Sequence, residues 1–251
     1  MNDKPRRKRR RVWIAAAVAA VTVVACVTGA WLYLDRGRSS FTSATPDRAL
    51  YPVRGIDISA HNGVIDFERV RADSIDFVYI KATEGATFKD RMFADNIRHA
   101  RRSGLMTGAY HFFRFDTPGH MQALNFMNSL RGRDFELMPA IDVEEWGNPS
   151  GVTTQTILAR LSEMVGYMKA HGLDVVIYTN KDGYQRFFDG TSSELPLWIC
   201  SFTNPPGPDG WHLWQHSHRG KVDGIDGSVD MNTFNGGRLE FEKWLSHVRL
   251  R

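Results

Sequence analysis

Met138-Pro139-Ala140-Ile141-Asp142-Val143-Glu144-Glu145-Trp146 is a short apolar run that ends in two carboxylates, Asp142 and Glu144. Successive side chains on a strand point to opposite faces, so these two acids share a face while Val143 and Glu145 take the other. Pro139 lacks an N–H and suits the first residue of a strand. Acids at the carboxyl end of an apolar parallel strand stand where α/β proteins place their active sites. A lone D-x-E is more often a strand end entering solvent, and the rest of the chain has to decide between the two readings.

On both sides of this stretch, short apolar runs alternate with amphipathic ones. Strands are expected over 53–59, 77–81, 105–113, 138–144 and 174–179, and helices over 65–72, 93–102, 118–130, 154–170 and 181–188. Gly104 and Gly172 supply C-terminal stops, and Pro118 suits a first helical turn. From there the helices run out. Three further strands, over 197–201, 212–216 and 228–231, are joined by loops, and a final helix covers 238–248. Alternating βα units imply a parallel sheet with helices on its faces, and eight strands permit a closed barrel.

The strand ends carry more acids. Asp57 lies in Gly55-Ile56-Asp57-Ile58-Ser59, and Asp230 in Val229-Asp230-Met231-Asn232. With Asp142 and Glu144 they would meet at one mouth if the sheet closes. Converging carboxylates serve glycoside hydrolysis, in which crowding keeps one acid protonated near neutral pH, or they bind a hard cation. Tyr110, Phe112, Tyr178, Trp198 and Trp214 fall on or beside the same strand ends. Flat rings there suit the apolar faces of sugars, although core filling is their ordinary use. His61, His111, His216 and His218 lack any HExxH or CxxC framework, so a metal site is a minority reading. Cys200 reads as a small buried apolar residue.

The N-terminus is of another kind. Lys4 and the basic run Arg6–Arg11 precede 22 uncharged residues, Trp13–Leu34. As a helix this run spans about 33 Å, enough for a hydrocarbon core of about 30 Å. The positive flank predicts a cytoplasmic N-terminus and an exported body. The chain therefore divides into a basic tail (1–12), a single transmembrane anchor (13–34), a linker (35–52) and a catalytic domain (53–251). A lipoprotein signal ending at Cys26, or a cleaved secretory signal, is the alternative. The first 34 residues carry a net +6, which leaves −2 for the rest of a chain whose total is +4. A mildly acidic body does not suit nucleic-acid binding. Two cysteines provide no disulfide framework, so the domain must stand on its hydrophobic core.

Taken in order, Gly55–Ser59 with Asn62-Gly63, Phe77–Gly85, Gly108-Ala109-Tyr110-His111-Phe112, Pro139–Glu144, Ile177-Tyr178-Thr179, Leu197-Trp198-Ile199, Trp214-Gln215 and Val229–Asn232 resemble glycoside hydrolase family 25, the N-acetylmuramidases. The resemblance implies an irregular, TIM-like (β/α)5(β)3 barrel that cleaves the β-1,4 bond between N-acetylmuramic acid and N-acetylglucosamine without a cofactor or metal. It implies Glu144 as general acid and Asp142 as nucleophile or as support for the substrate's acetamido oxygen, with Asp57 and Asp230 lining the same pocket. Tyr110, Phe112, Tyr178, Trp198, Trp214 and Gln215 are the expected substrate contacts. Lys81 and Glu84 match a family motif, as substrate contacts or as a structural ion pair. Two residues depart from the pattern. Ser74 stands where a glycine is usual, and His216 where a tyrosine is common. The expected partners are peptidoglycan strands and, through the anchor, the bacterial inner membrane, with the catalytic domain outside the cytoplasm. A non-catalytic glycan-binding barrel and a metal-dependent hydrolase are the competing functions.

Overall fold

The computed structural model describes residues 44–189, 195–207 and 210–249. The basic tail, the expected anchor with Cys26, and the first half of the expected linker lie outside those residues. Among the described residues no helix is long and apolar enough to cross a membrane.

Five strand–helix units come first. β1 (Arg54–Ile58) precedes α1 (Phe67–Ala72), and β2 (Phe77–Glu84), with a short hairpin partner β3 (Phe88–Lys89), precedes α2 (Phe93–Arg102). β4 (Met106–Phe112) leads to α3 (Gly119–Leu130), β5 (Ala140–Asp142) to α4 (Thr154–Ala170), and β6 (Val176–Asn180) to α5 (Lys181–Phe187). β7 (Leu197–Cys200), β8 (Trp211–Gly220) and β9 (Val229–Phe234) follow, and α6 (Arg238–Arg249) ends the fold. Local chemistry sets the helix limits. The Asp66 carboxylate accepts the N–H groups of Glu68 and Arg69 at the start of α1, and the Thr153 hydroxyl caps α4. Gly104 and Gly172 take positive φ just after α2 and α4.

Neighbouring strands from β1 through β2, β4, β5, β6 and β7 to β8 are parallel. β9 pairs antiparallel with both β8 and β1, which closes an eight-stranded barrel and leaves β3 as an appendage of β2. The expected (β/α)5(β)3 order is therefore the observed one.

The alternation of the strands divides the apolar residues into two cores. Ile56, Val78, Ile80, Ala109, Ile141, Ile177, Ile199 and Trp214 point outward into the layer shared with the helices. Phe77, Tyr79, Ala140, Val176, Tyr178, Trp198, Leu213 and Phe234 point inward. Phe241, Trp244 and Leu245 of α6 join the inner set, with the Phe241 ring 5.7 Å from Phe77 and 5.1 Å from Phe234. The last helix thus plugs the end of the barrel where β1 begins. Large inner rings need empty neighbours. A Cβ on Gly108 would lie 2.5 Å from the Tyr79 ring, and one on Gly55 2.2 Å from the Phe77 ring.

No helix follows β7 or β8 among the described residues, and the chain ahead of β1 packs against the outer face of β8. Tyr51 packs against Trp211 and Trp214 at 5.9 and 6.0 Å. The Ala44 N–H donates to the Phe202 carbonyl at 2.7 Å, and Nδ1 of His216 lies 3.1 Å from the Ala44 carbonyl. Ala44 and Tyr51, read from sequence as linker, are packed against the barrel.

Ser74, in the turn from α1 to β2, has φ +60°, the only positive φ at a non-glycine among the described residues. A left-handed conformation costs an L-residue about 1–2 kcal/mol, and glycine in the unfolded chain gives back about 0.5–1. Ser74→Gly is expected to stabilise the fold by about 0.5–1 kcal/mol, measured as a higher denaturation midpoint with unchanged slope. A lower midpoint would refute this account of the turn.

Candidate active site

The inward residues nearest the carboxyl ends of the strands surround an open cavity of about 790 Å³. Asp57 enters it from β1, Lys81 and Glu84 from β2, Tyr110 and Phe112 from β4, Asp142 from β5, Tyr178 from β6, Trp198 from β7, Gln215 from β8 and Asp230 from β9. Glu144 lies two residues beyond the paired part of β5. The extended backbone continues that far because the Val143 N–H donates to the Tyr178 carbonyl at 2.8 Å, and the Thr179 hydroxyl donates to the Val143 carbonyl at 2.7 Å. Val143 is buried on the outer side, so Glu144 comes back to the face of Asp142.

Asp57 is held by its neighbours. Its Oδ2 accepts from Nε2 of Gln215 and Nδ2 of Asn232, each at 2.8 Å. The Tyr178 hydroxyl donates to Oε1 of Gln215 at 2.8 Å, and Nε1 of Trp198 donates to Oδ1 of Asn232 at 2.9 Å. Tyr178, Trp198 and Gln215 therefore fix a carboxylate as well as forming the wall. The β1–β9 register sets Asp57 opposite Asp230. Asp142 is buried, and its Oδ1 has no hydrogen-bond partner within the protein among the described residues.

A break in β2 accounts for Lys81 and Glu84. Residues three apart on a regular strand face opposite sides, but the register with β4 slips between Lys81 and Thr83. Both side chains then reach the mouth, where Nζ of Lys81 bonds Oε2 of Glu84 at 2.8 Å. Lys81 is the only lysine or arginine lining the cavity among the described residues.

A model of the glycosyl hydrolases family 25 matches residues 56–225. The chain belongs to this family. Lysozyme M1 of Streptomyces globisporus is 35% identical over 202 residues, covering 73% of this chain and 68% of that protein. YegX, an uncharacterized protein of Escherichia coli strain K12, is 34% identical over 225 residues, 86% of this chain and 81% of the relative. The structure of a family 25 glycosyl hydrolase from Bacillus anthracis superposes with a TM-score of 0.74 at 31% identity, over 82% of this chain and 98% of the other.

Trp214 does not line the cavity of this glycoside hydrolase. It neighbours Gln215 on one strand, and two adjacent strand residues cannot both face inward. It is buried in the outer core, its Nε1 donating to the Ser201 carbonyl at 2.7 Å. The histidines do not converge. His111 is buried between the Thr83 hydroxyl at 2.7 Å and Oε1 of Gln122 at 3.0 Å, and burial lowers its pKa to about 4. His216 faces Ala44, while His218 lies 4.6 Å from the Phe202 ring at the cavity edge. Burial pushes the Cys200 thiol up to about 12, which leaves it an unreactive core residue. Asn232 and Trp146 were not singled out from the sequence. Asn232 was legible by parity with Asp230; Trp146 carried no signal beyond its nearness to Glu144.

Burial raises all four acids, and neighbouring carboxylates add to the shift at Asp142, Glu144 and Asp230. Asp57 is raised to about 6, Glu144 to about 7 and Asp230 to about 8, in each case first by loss of water; Asp142 is raised well above its ordinary value by burial and then by the Glu144 charge. Lys81 opposes the shift at Asp142 and Glu144. Asp57 receives two N–H donors, so the proton of the Asp57–Asp230 pair resides on Asp230. The folded chain holds these protons where the unfolded chain releases them, from about pH 4 upward. Their stabilising contribution is complete below about pH 4 and is lost as pH rises through 6 to 8. Asp230→Asn, which keeps a donor toward Asp57 without the titrating proton, is expected to raise the melting temperature at pH 8 more than at pH 5. Equal shifts at both pH values would disprove the shared proton.

Proposed function

We propose that this family 25 enzyme is a peptidoglycan muramidase in which Glu144 is the general acid. The protein hydrolyses the β-1,4 bond between N-acetylmuramic acid and N-acetylglucosamine. The observation that carries the residue roles is the pairing of a carboxyl raised to about 7, Glu144, with a buried carboxylate, Asp142, whose Oδ1 is unpartnered among the described residues, in an aromatic-walled cavity. Glu144 passes its proton to the glycosidic oxygen as the bond from that oxygen to the anomeric carbon breaks. The positive charge that develops on the sugar is met by Asp142, by direct attack or by orienting the substrate's acetamido oxygen. Water then adds at the anomeric carbon and returns a proton to Glu144.

The two acids titrate as a pair. While Glu144 keeps its proton, Asp142 is relieved of that neighbouring charge. Asp57 and Asp230 hold the sugar from the opposite wall, and Tyr110, Phe112, Tyr178 and Trp198 supply flat apolar surface. Residues 13–34 anchor the enzyme in the inner membrane, with the barrel outside the cytoplasm.

Incubation of the full-length protein with purified peptidoglycan, followed by mass spectrometry of new reducing ends, tests this reading. New N-acetylmuramic acid ends are expected, and N-acetylglucosamine ends or none would reject it. Glu144→Gln is expected to lower turnover by about 10²–10⁴-fold while glycan binding persists, because only the donated proton is removed. The rate should fall as pH rises through about 7, where Glu144 loses that proton. A rate that holds level to pH 9 would remove Glu144 from the role.

A further inference from the structure

We propose that Trp146 is a glycan-binding residue whose exposed indole carries a pyranose ring of the substrate strand just outside the carboxylate cavity. The proposal rests on the muramidase reading and extends it beyond the ring at which bond cleavage occurs. Trp146 is 79% exposed, whereas the other four described tryptophans, Trp198, Trp211, Trp214 and Trp244, are buried. An indole left in water forgoes the largest apolar gain of any side chain, and it lines the cavity only two residues after Glu144.

Its loop is built to hold still. Nδ2 of Asn148 donates to the carbonyls of Glu144 and Phe113, each at 2.9 Å, and Oδ1 of Asn148 accepts the Phe115 N–H at 2.8 Å. Nη1 of Arg114 donates to the Gly147 carbonyl at 2.6 Å, and Arg186 pairs with Glu145. Gly147 has φ +78°, and a Cβ there would lie 3.3 Å from the Phe112 ring, so the loop is pressed onto the cavity wall. Residues 144–148 are thus fastened at both ends and beneath, while the Trp146 side chain stays exposed. A fixed, flat, apolar surface binds with little ordering cost.

Sugar suits this surface better than protein does. A pyranose presents a C–H face that matches one indole in area, and the cavity that Trp146 lines also carries polar Ser59, His61 and His218. A protein partner would call for a continuous apolar patch of several hundred Å². The other large exposed apolar residues among those described, such as Val64, Phe88 and Leu124, do not line the cavity.

Kinetics of full-length wild type, Trp146→Ala and Trp146→Tyr on polymeric peptidoglycan test the proposal. Trp146→Ala is expected to raise KM about tenfold, with kcat within about twofold, and Trp146→Tyr to recover most of the loss. An unchanged KM overturns the proposal, and so does a fall in kcat alone, which would make Trp146 a support for the Glu144 loop. A second readout needs no turnover. Peptide-free glycan strands are added to Glu144→Gln, and the indole emission is followed. A saturable change that Trp146→Phe in the same background abolishes supports the site; an identical change in both proteins refutes it. Wild-type protein that releases no reducing ends would sink the muramidase reading alone, and the emission titration would still decide Trp146.

Discussion

The antiparallel seating of β9 between β8 and β1 is the constraint on which the site depends. Its register places Asp230 opposite Asp57 and Asn232 opposite Gln215. One closing strand therefore completes the barrel and also delivers an acid and an amide to the inner layer. A slip of one residue would turn Asp230 and Asn232 to the outside and bring Met231 in. Asp57 would then lose its Asn232 donor and its acid neighbour together. Closure and chemistry rest on the same hydrogen-bonded ladder.

The barrel divides its interior along the axis. Toward the start of the strands it is packed with rings, from Phe77 and Tyr79 to the α6 residues Phe241 and Trp244. Toward their ends it is acidic. The apolar half removes water and so raises the carboxyl pKa values; the acidic half opposes folding as those groups lose protons. An active site destabilised in this way is held together by the packing beneath it, a common exchange of stability for function. Lys81 enters that acidic layer through a bulge, and its bond to Glu84 keeps its charge at the mouth.

The helix-poor side shows how a barrel can be covered economically. Among the described residues no helix follows β7 or β8, and Ala44 and Tyr51 from the chain ahead of β1 pack on that side, with Tyr51 over Trp211 and Trp214. This explains why Trp214 is a core residue. Its indole meets the incoming segment on the outside, while the inward place on that strand belongs to Gln215.

Much of this protein was legible in the order of its residues. The αβ alternation, the helix stops at Gly104 and Gly172, and the parity of Asp142 with Glu144 are local properties, and they predict five strand–helix units, three strands and four acids at strand ends. The same parity excludes Trp214 once Gln215 is placed inside, a deduction open to sequence reasoning and not made from it. Other features were beyond local reasoning because they depend on residues far apart in the chain. The bulge that turns Lys81 and Glu84 to one side is a misfit with β4. The cover given by Ala44 and Tyr51 follows from the lack of a helix after β8 among the described residues, and the pinned loop that exposes Trp146 from contacts with Arg114 and Arg186. Periodicity determines which face a side chain takes; only closure of the sheet decides which faces meet, because pairing partners are chosen by the whole barrel and not by any one strand.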